Sequence, residues 1–298
     1  MEQVQVTTGI SEDANLIRAR ANPRRRIGLI AGTTIINLFF VILILATIIP
    51  FLYMAFGAFK TNGELFATPI TFFPAQPTMA NMSALLSNFP YARWMLNTAI
   101  VAVFGTILSV LLSSLAGFAF AKYNFRYKNA LYIIILVTLL IPYQVLLVPR
   151  FEVLQILHWF NSYQGLIVPN AVGAFGILLM RQYTLHVPDE MLDAARVDGA
   201  SEFNIWWTIV LPLVRPGLAA LGIFSFTALW NDFFWPLIVT TDPSMFVVNL
   251  GISSLVGPYD YQYGILLSGT LLAAVPVLIV FLFFQRQFIA GLTQGALK

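Results

Sequence analysis

Five stretches of this chain run for about twenty residues or more without a charged side chain, and a sixth is interrupted by a single carboxylate. They cover Ile27–Phe59, Trp94–Ala121, Asn129–Pro149, Trp159–Met180, Gly264–Phe284 and, with Asp232 inside it, Pro216 to about Val239. At 1.5 Å rise per residue, ~20 residues span the ~30 Å hydrocarbon core of a bilayer. Lipid offers the backbone no hydrogen bonds, so such runs must fold as helices or as a closed barrel, and uncharged runs of this length specify helices. The expected fold is an all-α integral membrane protein with six transmembrane helices, kinked at Pro142 and Pro276. Composition agrees: 59% of the residues are hydrophobic and 10% charged, against about 45–50% and about 25% in soluble domains, which excludes a soluble enzyme. The first run far exceeds the ~7–15-residue core of a signal peptide, and no A-x-A-like site follows it, so it reads as a retained helix.

Loop charges give an orientation. With the amino terminus inside, the inner side holds Arg18, Arg20, Arg24, Arg25, Arg26, Lys122, Arg126, Lys128, Arg181, Arg196, Arg215, Arg286 and Lys298, and the outer side only Lys60, Arg93 and Arg150. This thirteen-to-three asymmetry places both termini in the cytoplasm. The chain then divides into a cytoplasmic tail, residues 1–26, polar and disordered to about Asn22, and a six-helix domain, residues 27–298. An outer loop at about 57–93, punctuated by Pro69, Pro74, Pro77 and Pro90, reads as extended rather than helical. A cytoplasmic loop occupies about 181–215. The net charge is only +3, so the basic residues serve topology and no nucleic-acid partner is implied. With no cysteine and two histidines, the chain offers neither thiol chemistry nor a metal site.

The cytoplasmic loop carries five of the thirteen acidic residues: Asp189, Glu190, Asp193, Asp198 and Glu202. Pro188 followed by two carboxylates starts a helix, and Gly199 ends it. From Ser201, residues Phe203, Trp206, Trp207, Val210 and Leu211 recur at helical spacing and put an apolar stripe on a second helix that stops at Pro212. Such a helix either lies in the headgroup layer or docks a partner.

The series Asp193-Ala194-Ala195-Arg196-Val197-Asp198-Gly199, nine residues, then Ile209-Val210-Leu211-Pro212 resembles the E-A-A-x3-G-x9-I-x-L-P loop of ABC importer permeases, with Asp193 in place of glutamate. Phe59-Lys60-Thr61, Glu64-Leu65-Phe66, Arg93-Trp94-Met95-Leu96-Asn97-Thr98, Leu115–Ala121 and Leu229-Trp230-Asn231-Asp232-Phe233-Phe234-Trp235-Pro236-Leu237 are similar, in order, to segments of the maltose-transporter inner-subunit type of sugar permease. The resemblance implies a type I-like bundle and a loop that sits in a groove of an ATPase subunit through Asp193, Ala194, Ala195, Asp198, Gly199, Ala200, Ser201, Phe203, Trp206, Trp207 and Pro212. It implies as partners a second homologous permease, two ATPase subunits that use ATP and Mg, and an external or periplasmic solute-binding protein. The setting it implies is a bacterial or archaeal cell membrane, with a carbohydrate as substrate. A polyol, a glycerophosphodiester or glycerol phosphate is an alternative solute.

Within the fifth stretch a carboxylate is costly unless it faces a cavity or a partner. Trp230, Asn231, Asp232 and Trp235 are therefore candidate substrate-path residues, aromatic faces and polar acceptors being suited to sugars. The same residues also suit a helix end and an interfacial aromatic belt. The run Tyr259-Asp260-Tyr261-Gln262-Tyr263 offers either a belt or an external contact. No lysine follows a glycine, so the chain has no phosphate-binding loop and any ATP is hydrolysed elsewhere. An ion- or proton-coupled secondary transporter, the rival class, would place ionisable relays in several spans.

Overall fold

The computed structural model describes residues 23–255 and 262–294, with side chains for 32–255 and 262–285. The amino-terminal tail to Asn22 and Tyr259–Tyr261 lie outside the described residues. The chain forms two units, one ending at Phe56 and one from Gly57 onward. The first holds all but the last residue of helix α1 (Pro23–Gly57), which contains Pro50. In the second, α2 (Ala80–Asn88), α3 (Tyr91–Lys122), α4 (Lys128–Thr138), α5 (Leu147–Leu157), α6 (Tyr163–Ile167) and α7 (Ala174–Leu185) are followed by α8 (Asp189–Val197), α9 (Glu202–Ile205), α10 (Arg215–Trp230), α11 (Phe234–Val239), α12 (Val248–Ser254) and α13 (Tyr263–Gln294). The described residues are helix and connections throughout.

Among the described residues, three helices are long and apolar enough to cross a bilayer unbroken: 32–57 within α1, all of α3, and 263–285 within α13. The other expected spans are broken. The third is bent by 103° between α4 and the segment Tyr143–Leu157, and the fourth by 48° before α7. A third bent pair, Glu202–Leu213 with Arg215–Trp230, turns by 84°, and the count reaches six only if each of the three bent pairs is one span. At Pro142 the expected kink is a full break, because a proline ring clashes with the carbonyl four residues earlier; that residue is Thr138, the last of α4. The fifth stretch ends its first helix at Trp230 and restarts at Phe234. Pro236 disfavours a continuous helix through Asp232 in the same way. By contrast α13 runs through Pro276 as one helix, and Trp230 Nε1 donates to the Ala273 carbonyl at 3.1 Å, beside the Leu272 carbonyl that the proline deprives of its partner.

α3 is the centre of the second unit, packed on α7 and α10. At Gly117 a Cβ would lie 2.7 Å from the Arg181 backbone nitrogen and from Met180 Cβ, so only glycine lets α3 and α7 approach this closely. The Arg93–Thr98 motif has a structural use. Trp94 Nε1 donates to Pro243 O at 3.0 Å, Asn97 Nδ2 to Ser244 O and Phe246 O at 2.8 and 2.9 Å, and Val248 N to Thr98 Oγ1 at 2.7 Å. One face of α3 thus grips the segment leading into α12. The outer loop is not wholly extended: between Pro77 and Pro90 there is room for α2, which buries Asn81 and Leu85. Asn81 Nδ2 holds Ala58 O at 3.1 Å and Lys60 O at 2.7 Å.

Candidate functional site

The loop between α7 and α10 is built as its sequence directs. Pro188 precedes α8, with Asp189 and Glu190 in the first turn and Arg196 in the last, matching the helix dipole at both ends. Gly199 has φ +81°. Its N–H bonds Arg196 O at 3.0 Å while Ala200 N bonds Ala195 O at 2.9 Å, the paired closure of a helix that ends in a left-handed residue. Ser201 Oγ then accepts from Asn204 N at 3.3 Å and caps α9.

Arg196 ties the two short helices together. Its guanidinium reaches Asp193 Oδ1 at 2.7 Å and Glu202 Oε1 at 2.8 Å. The Tyr123 hydroxyl, from the end of α3, donates to Glu202 Oε2. The Arg196 guanidinium, with the Tyr123 hydroxyl behind it, holds the Glu202 carboxyl below its ordinary range. Glu202 and then Asp193 push Arg196 up, and burial, with Glu202 adding, pushes Tyr123 up to about 12. At pH 7 Arg196 is therefore a cation, Glu202 an anion and Tyr123 a neutral phenol. Lys122 adds a 2.7 Å pair with Asp189 and a 2.5 Å bond to Val187 O.

The expected apolar stripe is split in two. Residues Trp206–Val210 form a π turn, which inserts one residue into the helical register and rotates the following side chains away from α-helical alignment. Ile205, Trp206 and Val210 are buried with Leu192 against Phe118 and Met180, so Trp206 faces the chain's own core. Phe203 and Trp207 are 63% and 54% exposed. Asp193, Ala194, Asp198, Gly199, Ser201 and Pro212 share that exposure, and Ala195 and Ala200 are half-buried. The helix also continues past Pro212, which sits in its final turn, Leu211–Leu213.

Beyond α10 lie the four candidate substrate-path residues, and the structure separates them. Trp230 is buried, stacked on Phe226. Asn231 is exposed and bonds Thr227 O at 2.9 Å. Trp235 is fully buried, donating to Gly165 O at 2.8 Å, with the Arg150 guanidinium 4.3 Å over its ring. Asp232 alone lines a cavity of about 480 Å³, while one of its oxygens accepts from Trp235 N at 3.4 Å. It is both a helix-end acceptor and a cavity carboxylate.

The other walls were not singled out in the sequence. They include Ser109, Tyr143, Asn170, Phe175, Phe224 and Ser225. Phe175 and Phe224 meet edge to face at 5.7 Å, and the Ser109 and Ser225 hydroxyls lie 3.3 Å apart. Arg150, expected as an outer-loop charge, bonds Pro169 O at 2.8 Å and Asn170 Oδ1 at 2.7 Å beside this cavity. The available signal was weak: isolated serines and one asparagine within apolar runs. Among the described residues no cluster of His, Asp or Glu could hold a metal ion.

The sequence pattern of the family described as "Binding-protein-dependent transport system inner membrane component" matches residues 109–293. The chain belongs to this family. It is 36% identical over 266 residues to the arabinooligosaccharides transport system permease protein AraQ of Bacillus subtilis (strain 168), covering 88% of this chain and 95% of the relative. It is 34% identical to the lactose transport system permease protein LacG of Rhizobium radiobacter, covering 85% and 91%, and 33% identical to the sn-glycerol-3-phosphate transport system permease protein UgpE of Salmonella typhi, covering 89% and 97%. The fold matches a chain in a bacterial ABC transporter involved in the import of the acidic polysaccharide alginate, with TM-score 0.78, 20% identity, and 88% and 97% of the two chains covered. The chain is thus a permease of an ABC importer, not an enzyme, and gradient-coupled secondary transport is set aside.

Proposed function

We propose that this chain is one of two permease subunits of an ATP-driven carbohydrate importer, that residues 27–298 form its six-span domain, and that both termini and the 181–215 loop are cytoplasmic while 57–93 is external. The loop docks an ATPase subunit, which binds and hydrolyses ATP with Mg; a solute-binding protein delivers substrate from the opposite side. The observation that carries this is the loop itself. One face is anchored in the core through Leu192, Ile205, Trp206 and Val210, and the other presents Phe203 and Trp207, mostly exposed. The carbohydrate assignment is supported by the substrates in the names of AraQ and LacG.

The experiment is co-purification of the ATPase subunit with Trp207→Glu. That carboxylate is tolerated in water but desolvated in a groove. Normal membrane abundance with loss of the ATPase subunit and of ATP-driven uptake is expected, and normal association with normal uptake would refute the docking role. In the cysteine-free chain, single cysteines at Ser83 and Ser201 should label from the outside and the inside respectively; the reverse pattern would invert the topology.

A further inference from the structure

We propose that Asp232 sets the charge class of the solute admitted to the cavity, making it a site for an uncharged polyhydroxyl ligand that disfavours anions. The proposal rests on the importer reading and deepens it, because relatives of similar identity carry names with both neutral and anionic substrates, and the family alone leaves the class open.

The walls argue for a saccharide-like ligand. A volume of about 480 Å³ lies within the ~300–1,000 Å³ usual for small-molecule sites, where apolar walls carry a few polar groups. Phe175 and Phe224 offer apolar faces for C–H groups, and Ser225, Asn170 and Asp232 offer hydroxyl and acceptor atoms. The Tyr143 Oη is buried without a well-formed hydrogen bond.

The charges argue for neutrality. Asp232 is the only charged residue among those lining the cavity. The Arg150 guanidinium lies beside the cavity, 4.3 Å over the ring of Trp235, whose backbone N–H bonds Asp232, and its Nη2 is engaged by Pro169 O and Asn170 Oδ1. The amino end of α7 also opens here, at Gly173, and contributes a partial positive charge of about half a unit. With Asp232 ionised, its unit negative charge lines the cavity directly and offsets most of the positive field behind it, so an anion gains little there while an uncharged polar ligand meets no penalty. Without it, Arg150 and the α7 terminus leave the cavity net positive, and in a low-dielectric site that favours an anion.

The test is equilibrium binding to the purified permease–ATPase complex, comparing arabinotriose with sn-glycerol 3-phosphate. Wild type is expected to bind the trisaccharide at least tenfold more tightly. Asp232→Asn should shift that ratio at least tenfold toward the anion, and Asp232→Glu should restore it. Ser225→Asp, which adds a carboxylate without touching the start of α11, should widen the wild-type preference and keeps the test open if Asp232→Asn does not fold. Equal or tighter binding of the anion by wild type, an unmoved ratio in both variants, or binding of neither probe overturns the proposal. ATP hydrolysis stimulated by the solute-binding protein, measured on the same preparation, reports on the importer reading separately; its absence refutes that reading rather than the charge rule alone.

Discussion

Helix α10 is entered through one kind of break and left through another. At its entry the chain turns at Gly199, caps α9 with Ser201 and passes through a π turn in which Trp206 is 3% exposed and its Nε1 finds no partner among the described residues. At its exit the chain breaks over Asn231–Phe233 without any glycine, and both flanking tryptophans have bonded Nε1 groups, Trp230 on Ala273 and Trp235 on Gly165. The entry is shaped by local caps and the exit by distant elements. An unpaired buried N–H costs about 1–3 kcal/mol, so the entry is the less well satisfied of the two, and it carries the loop proposed to dock an ATPase subunit.

Four substitutions test that contrast. The largest loss is expected at the exit. Trp235→Ala removes a fully buried ring, orphans Gly165 O and uncovers Arg150, and should cost ~3–5 kcal/mol, visible as a collapse of abundance and of melting temperature in detergent. If the variant melts within a few degrees of wild type, the exit is not fixed by tertiary bonds.

Gly199→Val comes next. A Cβ there would meet nothing within 4 Å, so its penalty is the left-handed backbone alone, roughly 1–2 kcal/mol. The spans should survive while ATPase-subunit co-purification falls. Full loss of the protein from the membrane would show that the loop is needed for the bundle to fold.

Smaller again is Glu202→Gln. Its partners are largely solvent-accessible, so the loss should be under about 1 kcal/mol. Because the folded carboxyl lies below its ordinary value, its stabilisation is present above the unfolded pKa, ~4.3, and is lost as pH falls through the folded value. Wild type and variant should therefore converge in stability toward low pH. A gap that widens on acidification would contradict the Arg196 pairing.

The smallest effect carries the opposite sign. Trp206→Phe keeps a ring in the core and deletes the unpaired donor, so stability should stay within ~1 kcal/mol of wild type and tend upward. A clear destabilisation would mean that the Nε1 group has a partner after all, and the contrast between entry and exit would narrow.

The two regions also differed in how well they could be read from residues alone. Pro188 and Gly199 act on their own neighbours, so, although the cap that Ser201 supplies was not singled out, helix, turn and helix were legible. The side on which Trp206 sits was not, because the π turn that rotates it answers to Phe118 and Met180, far away in sequence. At the exit, Pro236 carried a local signal for the break that an uninterrupted span overlooked. Nothing near Trp230 or Trp235 showed that their rings are held by α13 and by Gly165, which left only Asp232 on the cavity. Five further walls, Leu221, Phe224, Ser225, Ala228 and Leu229, share one face of α10 by helical spacing, but the others come from α3, the segment before α5 and the start of α7, and no spacing along the chain marks those as their neighbours.

The glycine contact between α3 and α7 has a mechanical consequence. Fourteen residues, or about 21 Å of helix, separate Ser109 at the cavity wall from Tyr123, whose hydroxyl holds the loop, and Gly117 lies between them, pressed on the backbone of its neighbour. Where side chains separate two helices, small rotamer changes can absorb a displacement; where backbone rests on backbone in a close-packed interior, there is little slack to take up. The contact at Gly117 therefore leaves α3 and α7 little room to slide past each other along the stretch that joins the Tyr123 end to Ser109.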